Sequence, residues 1–136
     1  MNDIVQFTDD AGNELKITPE DVRRVICPTA NDKEIIMFLQ LCKAQRLNPF
    51  IKDAYLVKYG DAPASIITSK ETFTKRANAN KHYKGFEAGV VYLDSAKRVQ
   101  TREGSAVYIA AGEILLGGWC RVFIEGRKPF YDEVSL

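Results

Sequence analysis

The sequence predicts an α+β fold in which an antiparallel β-sheet with β-hairpins packs against helices. Apolar residues recur at helical spacing over residues 32–46, and sequences typical of helix caps precede this segment and two others. From Gly85 onward, short segments rich in β-branched and aromatic residues alternate with turn sequences. A length of 136 residues fits one core, so we expect a single domain over residues 1–136.

Residues 1–28 are expected to form a hairpin followed by a short helix. Ile4–Phe7 and Glu14–Ile17 are strand-like and flank a segment rich in turn-forming residues. Thr18 is suited to cap a helix whose first residue is Pro19, since proline has no amide that the first helical position would need.

The strongest helix signal runs from about Asp32 to Arg46. Asn31 is a suitable N-cap, and Glu34 three residues later can reach back to it in a capping box. Pro49 then ends the helical region, because it disfavours helical geometry at the residue before it. The expected buried face of this helix consists of Ile35, Phe38, Leu39 and Cys42.

A second hairpin and a further helix follow this break. Residues 53–59 and 64–67 are strand-like and flank a turn that contains glycine and proline. Thr68 is expected to cap a helix from about Ser69 to Ala79, with Glu71 at the capping-box position.

The segment from Gly85 onward is expected to be β-structure. The expected strands cover residues 86–93, 98–102, 106–109, 115–124 and 129–134. A Gly117-Gly118 pair inside the fourth of these segments indicates a β-bulge or a close approach of two backbones.

Cysteine and histidine usage predicts neither a disulfide nor a metal site. The chain has three cysteines, no CxxC pair and one histidine, His82. We therefore expect Cys27, Cys42 and Cys120 to be reduced thiols, and we expect no metal and no cofactor. No apolar stretch is long enough to span a bilayer and the N-terminus lacks signal-peptide features, which predicts an intracellular protein without a membrane partner.

Motifs for catalysis are also missing from the sequence. There is no GxxxxGK[ST] or GxGxxG phosphate-binding loop, and nothing ties His82 to a particular serine or cysteine. The acidic residues form no recognisable metal-binding motif. The sequence therefore favours a binding protein over an enzyme, and a small metal-dependent nuclease is the least favoured alternative.

The charged residues concentrate positive charge in the middle of the chain. Residues 43–84 hold nine basic and three acidic side chains, a net charge of +6, whereas residues 1–42 carry −4 and residues 85–136 carry −1. Such a basic segment is typical of a surface that binds a polyanion, although a solvated lysine-rich surface gives the same pattern.

Basic and aromatic residues are interleaved between Phe50 and Phe86. Single-stranded nucleic acid requires this mixture, because cations pair with phosphates and unstacked bases lie on flat rings. We expect most of the rings to belong to the core. The cations that we expect to face nucleic acid are Lys52, Lys58, Lys75 and Arg76.

Residues 47–55, with the sequence LNPFIKDAY, resemble the LNP-aromatic-x-K-acidic-x-Tyr signature of the Bet/RecT family of phage single-strand annealing proteins. The helix before this segment also resembles the corresponding family segment. Later family blocks are similar to residues 66–77, 85–89, 102–105 and 116–122. The resemblance makes residues 29–136 a family-like core, preceded by the hairpin and short helix of residues 1–28.

The resemblance implies an ATP-independent protein, not an enzyme, that coats single-stranded DNA and promotes annealing to a complementary strand in the cytoplasm of a bacterial host. It implies a homo-oligomer that works with a partner phage exonuclease and with the host single-stranded DNA-binding protein. The residues that match basic family positions, and would contact DNA, are Lys52, Lys58, Lys75, Arg76, Arg121, Arg127 and Lys128.

One departure from the family pattern bears on these expectations. Family members usually continue past the position of Leu136 into a helical half that contributes to the DNA groove, so we expect this chain to correspond to the N-terminal lobe. An alternative to DNA annealing is therefore an oligomerisation module that does not bind DNA on its own.

Overall fold

The computed structural model describes residues 3–136, and the chain divides into two compact units, Met1–Lys75 and Arg76–Leu136. The described residues contain eight strands, which pair antiparallel throughout, and three α-helices. This architecture confirms the predicted α+β fold class.

The first unit begins with a hairpin of strands β1, Val5–Thr8, and β2, Glu14–Ile17. Helix α1, Pro19–Asp21, follows and continues as a π-helical turn of five residues. The Asp21 amide donates to the Thr18 hydroxyl at 3.1 Å, and the Thr18 amide donates to the Asp21 carboxylate at 2.9 Å. The predicted Thr18 cap is therefore confirmed.

Helix α2, Asp32–Gln45, carries the apolar face that the sequence predicts. The Glu34 amide donates to the Asn31 side chain at 3.0 Å, and the Asn31 amide donates back to the Glu34 carboxylate at 2.9 Å, which confirms the capping box. The helix ends where Arg46 adopts the left-handed conformation at φ 54°. The buried face is the predicted one: Ile35, Phe38, Leu39 and Cys42.

The second hairpin of the first unit consists of β3, Ala54–Val57, and β4, Ser65–Thr68. Ala54 and Leu56 on one face of β3 join the core that α2 and the N-terminal hairpin form. Each large apolar side chain in such a core stabilises the fold by about 1.5–3 kcal/mol relative to its exposed state.

Helix α3, Lys70–Ala79, follows β4, but its N-terminus differs from the prediction. Thr68 does not cap α3, because it pairs with Ala54 in the β-ladder. Ser69 takes this place: its hydroxyl accepts from the Glu71 amide at 3.2 Å and donates to the Glu71 carboxylate at 2.6 Å. The cap moves from Thr68 to Ser69 because Thr68, which the local sequence pattern selects as the cap, is already part of strand β4.

The second unit contains a four-stranded antiparallel sheet in the order β6-β5-β7-β8. Its strands are β5, Tyr83–Leu93; β6, Val99–Glu103; β7, Ile114–Ile124; and β8, Phe130–Ser135. Strand β5 thus begins three residues before the predicted strand of residues 86–93, within the polar stretch around His82.

The expected strand over residues 106–109 is absent from the described part of the chain, where a 3₁₀ turn, Ile109–Ala111, stands at this place. Polar contacts hold this loop. Arg102 donates to the Ala106 carbonyl at 2.8 Å and binds both carboxylate oxygens of Glu113, at 2.9 and 2.8 Å. The same carboxylate accepts from the Tyr108 amide at 2.8 Å, so the backbone here bonds to a side chain instead of a neighbouring strand.

The glycine pair in β7 has both of the predicted features. The register shifts by one residue between Val91, opposite Gly117, and Tyr92, opposite Leu115, which is a β-bulge. A Cβ atom on Gly117 would lie 2.1 Å from the Val134 carbonyl oxygen of β8, so only glycine fits there.

Candidate nucleic-acid interface

The segment Leu47–Asp53, here called the LNP loop, is a tightly closed turn between α2 and β3. The Asn48 amide donates to the Asp53 carboxylate at 2.9 Å, and the Asp53 amide donates to the Asn48 carbonyl at 3.0 Å. A 3₁₀ turn over Pro49–Ile51 lies between these two bonds. Leu47 is fully buried beneath it, so the loop has a fixed base.

The Asn48 side chain joins the LNP loop to the turn of the N-terminal hairpin. Its amide donates to the Asp9 carboxylate at 2.8 Å, and its carbonyl accepts from the Phe50 amide at 3.0 Å. Burial acts to raise the pKa of Asp9, but hydrogen bonds from Asn48, Asn13 and two backbone amides outweigh it and hold the pKa below its ordinary value. The loop is therefore held through an ionised, buried carboxylate.

The LNP loop exposes two apolar side chains and one basic side chain to solvent. Phe50 and Ile51 are about half exposed, although both are apolar. Lys52 has an exposed side chain, with no hydrogen-bond or ion-pair partner among residues 3–136. Its backbone is left-handed, at φ 66°, which costs a non-glycine residue about 1–2 kcal/mol. The loop thus carries an uncompensated cation two residues after an exposed ring.

The second hairpin adds a further aromatic side chain on its outer face. Tyr55 of β3 lies opposite Ile67 of β4, and both are exposed, whereas Ala54 and Leu56 face the core. Phe73 of α3 is 57% exposed.

The expectation that most of the interleaved rings are core residues is wrong. The exposed rings are Phe50, Tyr55, Tyr59, Phe73 and Phe86.

Asp53 connects Lys75 to the LNP loop. The Lys75 ammonium lies 3.2 Å from the Asp53 carboxylate, which also accepts a long hydrogen bond of 3.4 Å from the Thr72 hydroxyl. Lys75 is 62% exposed and Asp53 only 8%, so the carboxylate is an inward anchor and the ammonium remains open to solvent. Lys52 is the chain neighbour of Asp53, the residue to which Lys75 binds. Arg76, the next residue of α3, is half-buried.

Lys58 occupies a different environment from the other predicted cations. Its ammonium lies 3.0 and 3.1 Å from the two carboxylate oxygens of Glu34, and the Lys58 side chain is only 13% exposed. Hydrogen bonds from the Asn31 and Ala64 amides, together with Lys58, hold the pKa of Glu34 below its ordinary value. This ion pair ties the second hairpin to the start of α2, and it neutralises the Lys58 charge.

The three remaining predicted cations belong to the second unit. Arg121 of β7 lies over the rings of Trp119 and Tyr131, at 5.6 and 5.2 Å from their centroids, and 3.6 Å from the Glu87 carboxylate. Arg127 and Lys128 occupy the exposed turn between β7 and β8, and neither side chain has a partner within the described residues.

A sequence profile of the RecT family matches residues 6–136, which is essentially the whole chain. The chain belongs to the RecT family. Comparison with curated proteins and with solved structures gave no match. RecT-family proteins act in single-strand annealing during recombination. The predicted resemblance is thereby confirmed, and it extends over the N-terminal hairpin from residue 6.

Two further features are absent from residues 3–136 of this RecT-family chain. Among these residues, no group of three or more His, Cys, Asp or Glu side chains is placed to hold a metal ion. No helix in the same range has the length and apolar character needed to cross a membrane.

Sequence reasoning missed the residues that position the site in this RecT-family chain. The sequence pattern places Asp9 in the turn-rich segment of the first hairpin, yet Asp9 binds Asn48 from 39 positions away along the chain. Asp53 is the acidic position of the LNP signature, but its role as anchor of Lys75 depends on where α3 lies. No pattern within a short window could have indicated either contact.

Proposed function

We propose that this chain binds single-stranded DNA through the LNP loop, the outer face of the second hairpin and α3, and promotes annealing of complementary strands. The observation that carries the proposal is that Phe50 and Lys52 are both exposed on a loop held by buried hydrogen bonds. Single-strand binding needs this combination of a cation for phosphates and rings for bases.

Lys52, the chain neighbour of Asp53, and Lys75, its ion-pair partner, have different parts in this proposal. Lys52 offers a full positive charge to a phosphate. Lys75 shares its charge with Asp53 at 3.2 Å and is held toward solvent by it. Lys58 is given a smaller part, because a phosphate would have to compete with Glu34 for its ammonium. Arg76, Arg121, Arg127 and Lys128 remain proposed contacts.

In this proposal, annealing follows from the way the cations and rings contact a bound DNA strand. Cations on the protein reduce the repulsion between two phosphate backbones, and contacts to backbone and base faces leave the pairing edges of the bases free. Sequence specificity then comes from base pairing alone. In this proposal residues 1–136 act as one annealing domain in a bacterial cytoplasm. A partner exonuclease supplies the strand, and a host single-stranded DNA-binding protein covers it.

Fluorescence anisotropy of a labelled oligonucleotide tests the proposal. We expect affinity to fall steeply as salt rises, and we expect Lys52→Ala to weaken binding on all sequences and to reduce the salt slope by about one. Lys33→Ala is the matched control, since Lys33 is exposed in the same unit and has no side-chain partner within residues 3–136. No binding by a folded sample at low salt would refute DNA binding by this chain.

A triple change of Lys52, Lys75 and Arg76 to Ala extends the test to the surface as a whole. We expect a larger loss of affinity and a flatter salt dependence than Lys52→Ala gives. Circular dichroism and a thermal melt establish that the variant is folded, because Asp53 loses its Lys75 partner. A folded triple variant with unchanged affinity would show that these cations form only a solvated surface.

A second candidate function is an oligomerisation module that does not bind DNA by itself. The observation in its favour is β8, whose six residues are all exposed. Light scattering that gives a multimer, with no anisotropy change on DNA, would support it over the first proposal. Loss of the oligonucleotide only when magnesium or manganese is present would instead indicate a nuclease.

A further inference from the structure

A groove of the first unit lies between helix α2 and the second hairpin. Its volume is about 230 Å³, and its lining is mostly apolar. This volume is smaller than that of sites for drug-sized ligands, so the groove fits one or two apolar side chains. The residues that line it are Lys33, Glu34, Met37, Leu56, Ala64 and Ile66.

Polar contacts hold the two walls of this groove together. The Glu34 carboxylate of α2 accepts from the Ala64 amide at 3.1 Å and binds the Lys58 ammonium at 3.0 Å. The Asn31 amide donates to the same carboxylate at 2.9 Å. The groove is therefore formed before any partner binds, and a preformed site loses less conformational entropy on binding.

One positive charge in the lining of the groove has no counterpart. Asp32 pairs with Arg23 and Glu34 pairs with Lys58, so the charges of these four side chains balance. Lys33 is exposed, and its side chain has no partner among residues 3–136. An apolar surface with one uncompensated cation is complementary to a ligand that carries one carboxylate near an apolar group.

The open edge of β4 supplies backbone hydrogen-bonding groups beside the groove. Within the described residues, β4 pairs only with β3. The Ser69 amide donates to the Asp53 carbonyl at 2.8 Å, and the bonds of an antiparallel ladder recur at every second residue. The amide and carbonyl of Ile66 therefore point away from β3. They lie on the side where the Ala64 amide donates to α2, and such groups can bond to an added strand.

We propose that this groove binds an extended peptide segment of a partner protein, which adds as a strand to the open edge of β4. One apolar side chain of the segment enters the groove between Met37 and Ile66, and a carboxylate two residues away binds Lys33. Side chains two residues apart lie on the same face of a strand, so both can reach α2. Methionine adapts its shape to different apolar groups, which suits Met37 to this contact.

The charges around the groove favour a peptide over a stretch of DNA. A DNA strand carries a phosphate at every nucleotide and requires several uncompensated cations. Among the described residues that line the groove, Lys33 is the one cation, and it stands between Asp32 and Glu34 in the chain. A peptide with a single carboxylate matches this balance. The proposal thus goes beyond DNA binding and assigns a separate surface of the first unit to a protein partner.

Fluorescence anisotropy with a designed probe tests the proposal. The probe is a short labelled peptide with an amidated end, in which the sequence Leu-Thr-Asp is flanked by serine and threonine residues. We expect saturable binding below about 1 mM. Replacing the leucine by serine should weaken binding about tenfold or more, because the burial of one large apolar side chain is lost.

An isomeric probe tests the extended conformation of the bound segment. With Leu-Asp-Thr in place of Leu-Thr-Asp, the composition and charge are unchanged, but the carboxylate moves to the opposite face of the strand. The isomer should bind about two- to fivefold more weakly, as expected for loss of an exposed ion pair. Equal binding of the two peptides would overturn the proposed geometry.

Changes in the protein locate the bound probe. Lys33→Ala should remove the difference in affinity between Leu-Thr-Asp and Leu-Thr-Asn probes, because the partner of the carboxylate is gone. Lys43→Ala is the matched control, since Lys43 is exposed on the same helix without a side-chain partner in residues 3–136 but lies about 15 Å further along. Met37→Glu should abolish binding, whereas Gln40→Glu, which adds the same charge one turn away, should change it much less.

The results are independent of DNA binding through the LNP loop. Neither Lys33→Ala nor Met37→Glu should alter the affinity for an oligonucleotide, and circular dichroism establishes that each variant is folded. The peptide proposal is refuted if the folded original chain binds no probe up to about 1 mM, or if both variants keep its affinity. An oligonucleotide that displaces the probe and binds Met37→Glu less well would assign the groove to DNA, and would equally overturn the proposal.

Discussion

The contact between Asn48 and Asp9 gives a prediction whose magnitude follows from the hydrogen bonds that it removes. Asn48→Ala deletes a donor to a buried carboxylate at 2.8 Å and an acceptor of the Phe50 amide at 3.0 Å. A hydrogen bond to a charged group contributes about 1.5–3 kcal/mol and a neutral one about 0.5–1.5 kcal/mol. Since Asn48 is 3% exposed, water cannot easily replace them. We expect a loss of about 2–4 kcal/mol in the free energy of unfolding.

Urea unfolding followed by circular dichroism measures this loss, with Asn78→Ala as the control. Asn78 is exposed on α3, where alanine is the better helix former, so the control should lose nothing. A folded Asn48→Ala variant that loses less than about 0.5 kcal/mol would refute the role assigned to this contact.

The pH dependence of the same variant gives a second, signed test. The folded pKa of Asp9 lies below its ordinary value of 3.8, so its ionised form contributes stability that is present above pH 3.8. This contribution is lost as the pH falls through the lower folded pKa. Because Asn48→Ala removes one of the bonds that lower this pKa, the variant should lose less stability on acidification than the original chain.

Two further predictions concern the packing of each unit. Gly117→Ala should lower the free energy of unfolding by about 1–3 kcal/mol, because its Cβ would meet the Val134 carbonyl at 2.1 Å. Gly118→Ala should be tolerated in the same thermal melt, since its nearest neighbour is 3.6 Å away, and equal losses would contradict the close approach. Burial raises the pKa of the Cys42 thiol to about 12, so a thiol reagent at neutral pH should modify the partly exposed Cys120 first. Early modification of Cys42, located by mass spectrometry, would contradict its burial.

Local features of this fold are readable in the sequence because their causes lie within a few residues. The caps at Thr18 and Asn31 each require one partner three positions away, and both are present. The predicted Thr68 cap of α3 is wrong because pairing between Thr68 and Ala54, which are 14 positions apart, decides which residue is free to cap. Long-range pairing thus overrides a correct local signal.

The candidate site was readable only in part, for a related reason. Alternation along β3 places Tyr55 on the face opposite Ala54, but it does not say which face other elements cover. The core covers Ala54 and leaves the tyrosine in solvent. The charge pattern likewise identified Lys52, Lys58 and Lys75 without separating them, because their difference depends on distant carboxylates.

The left-handed backbone of Lys52 has a consequence for how this position evolves. Glycine would relieve about 1–2 kcal/mol of conformational energy there, so selection for folding alone would favour losing the side chain. Within the described chain, the non-glycine residues with positive φ are Arg46, Lys52 and Lys97, and all are basic. A lysine at such a position lowers stability, as residues retained for function often do. Lys52→Gly should therefore give a chain that is more stable and binds DNA less well. Lys52→Ala keeps the backbone strain, so it should weaken DNA binding without a gain in stability.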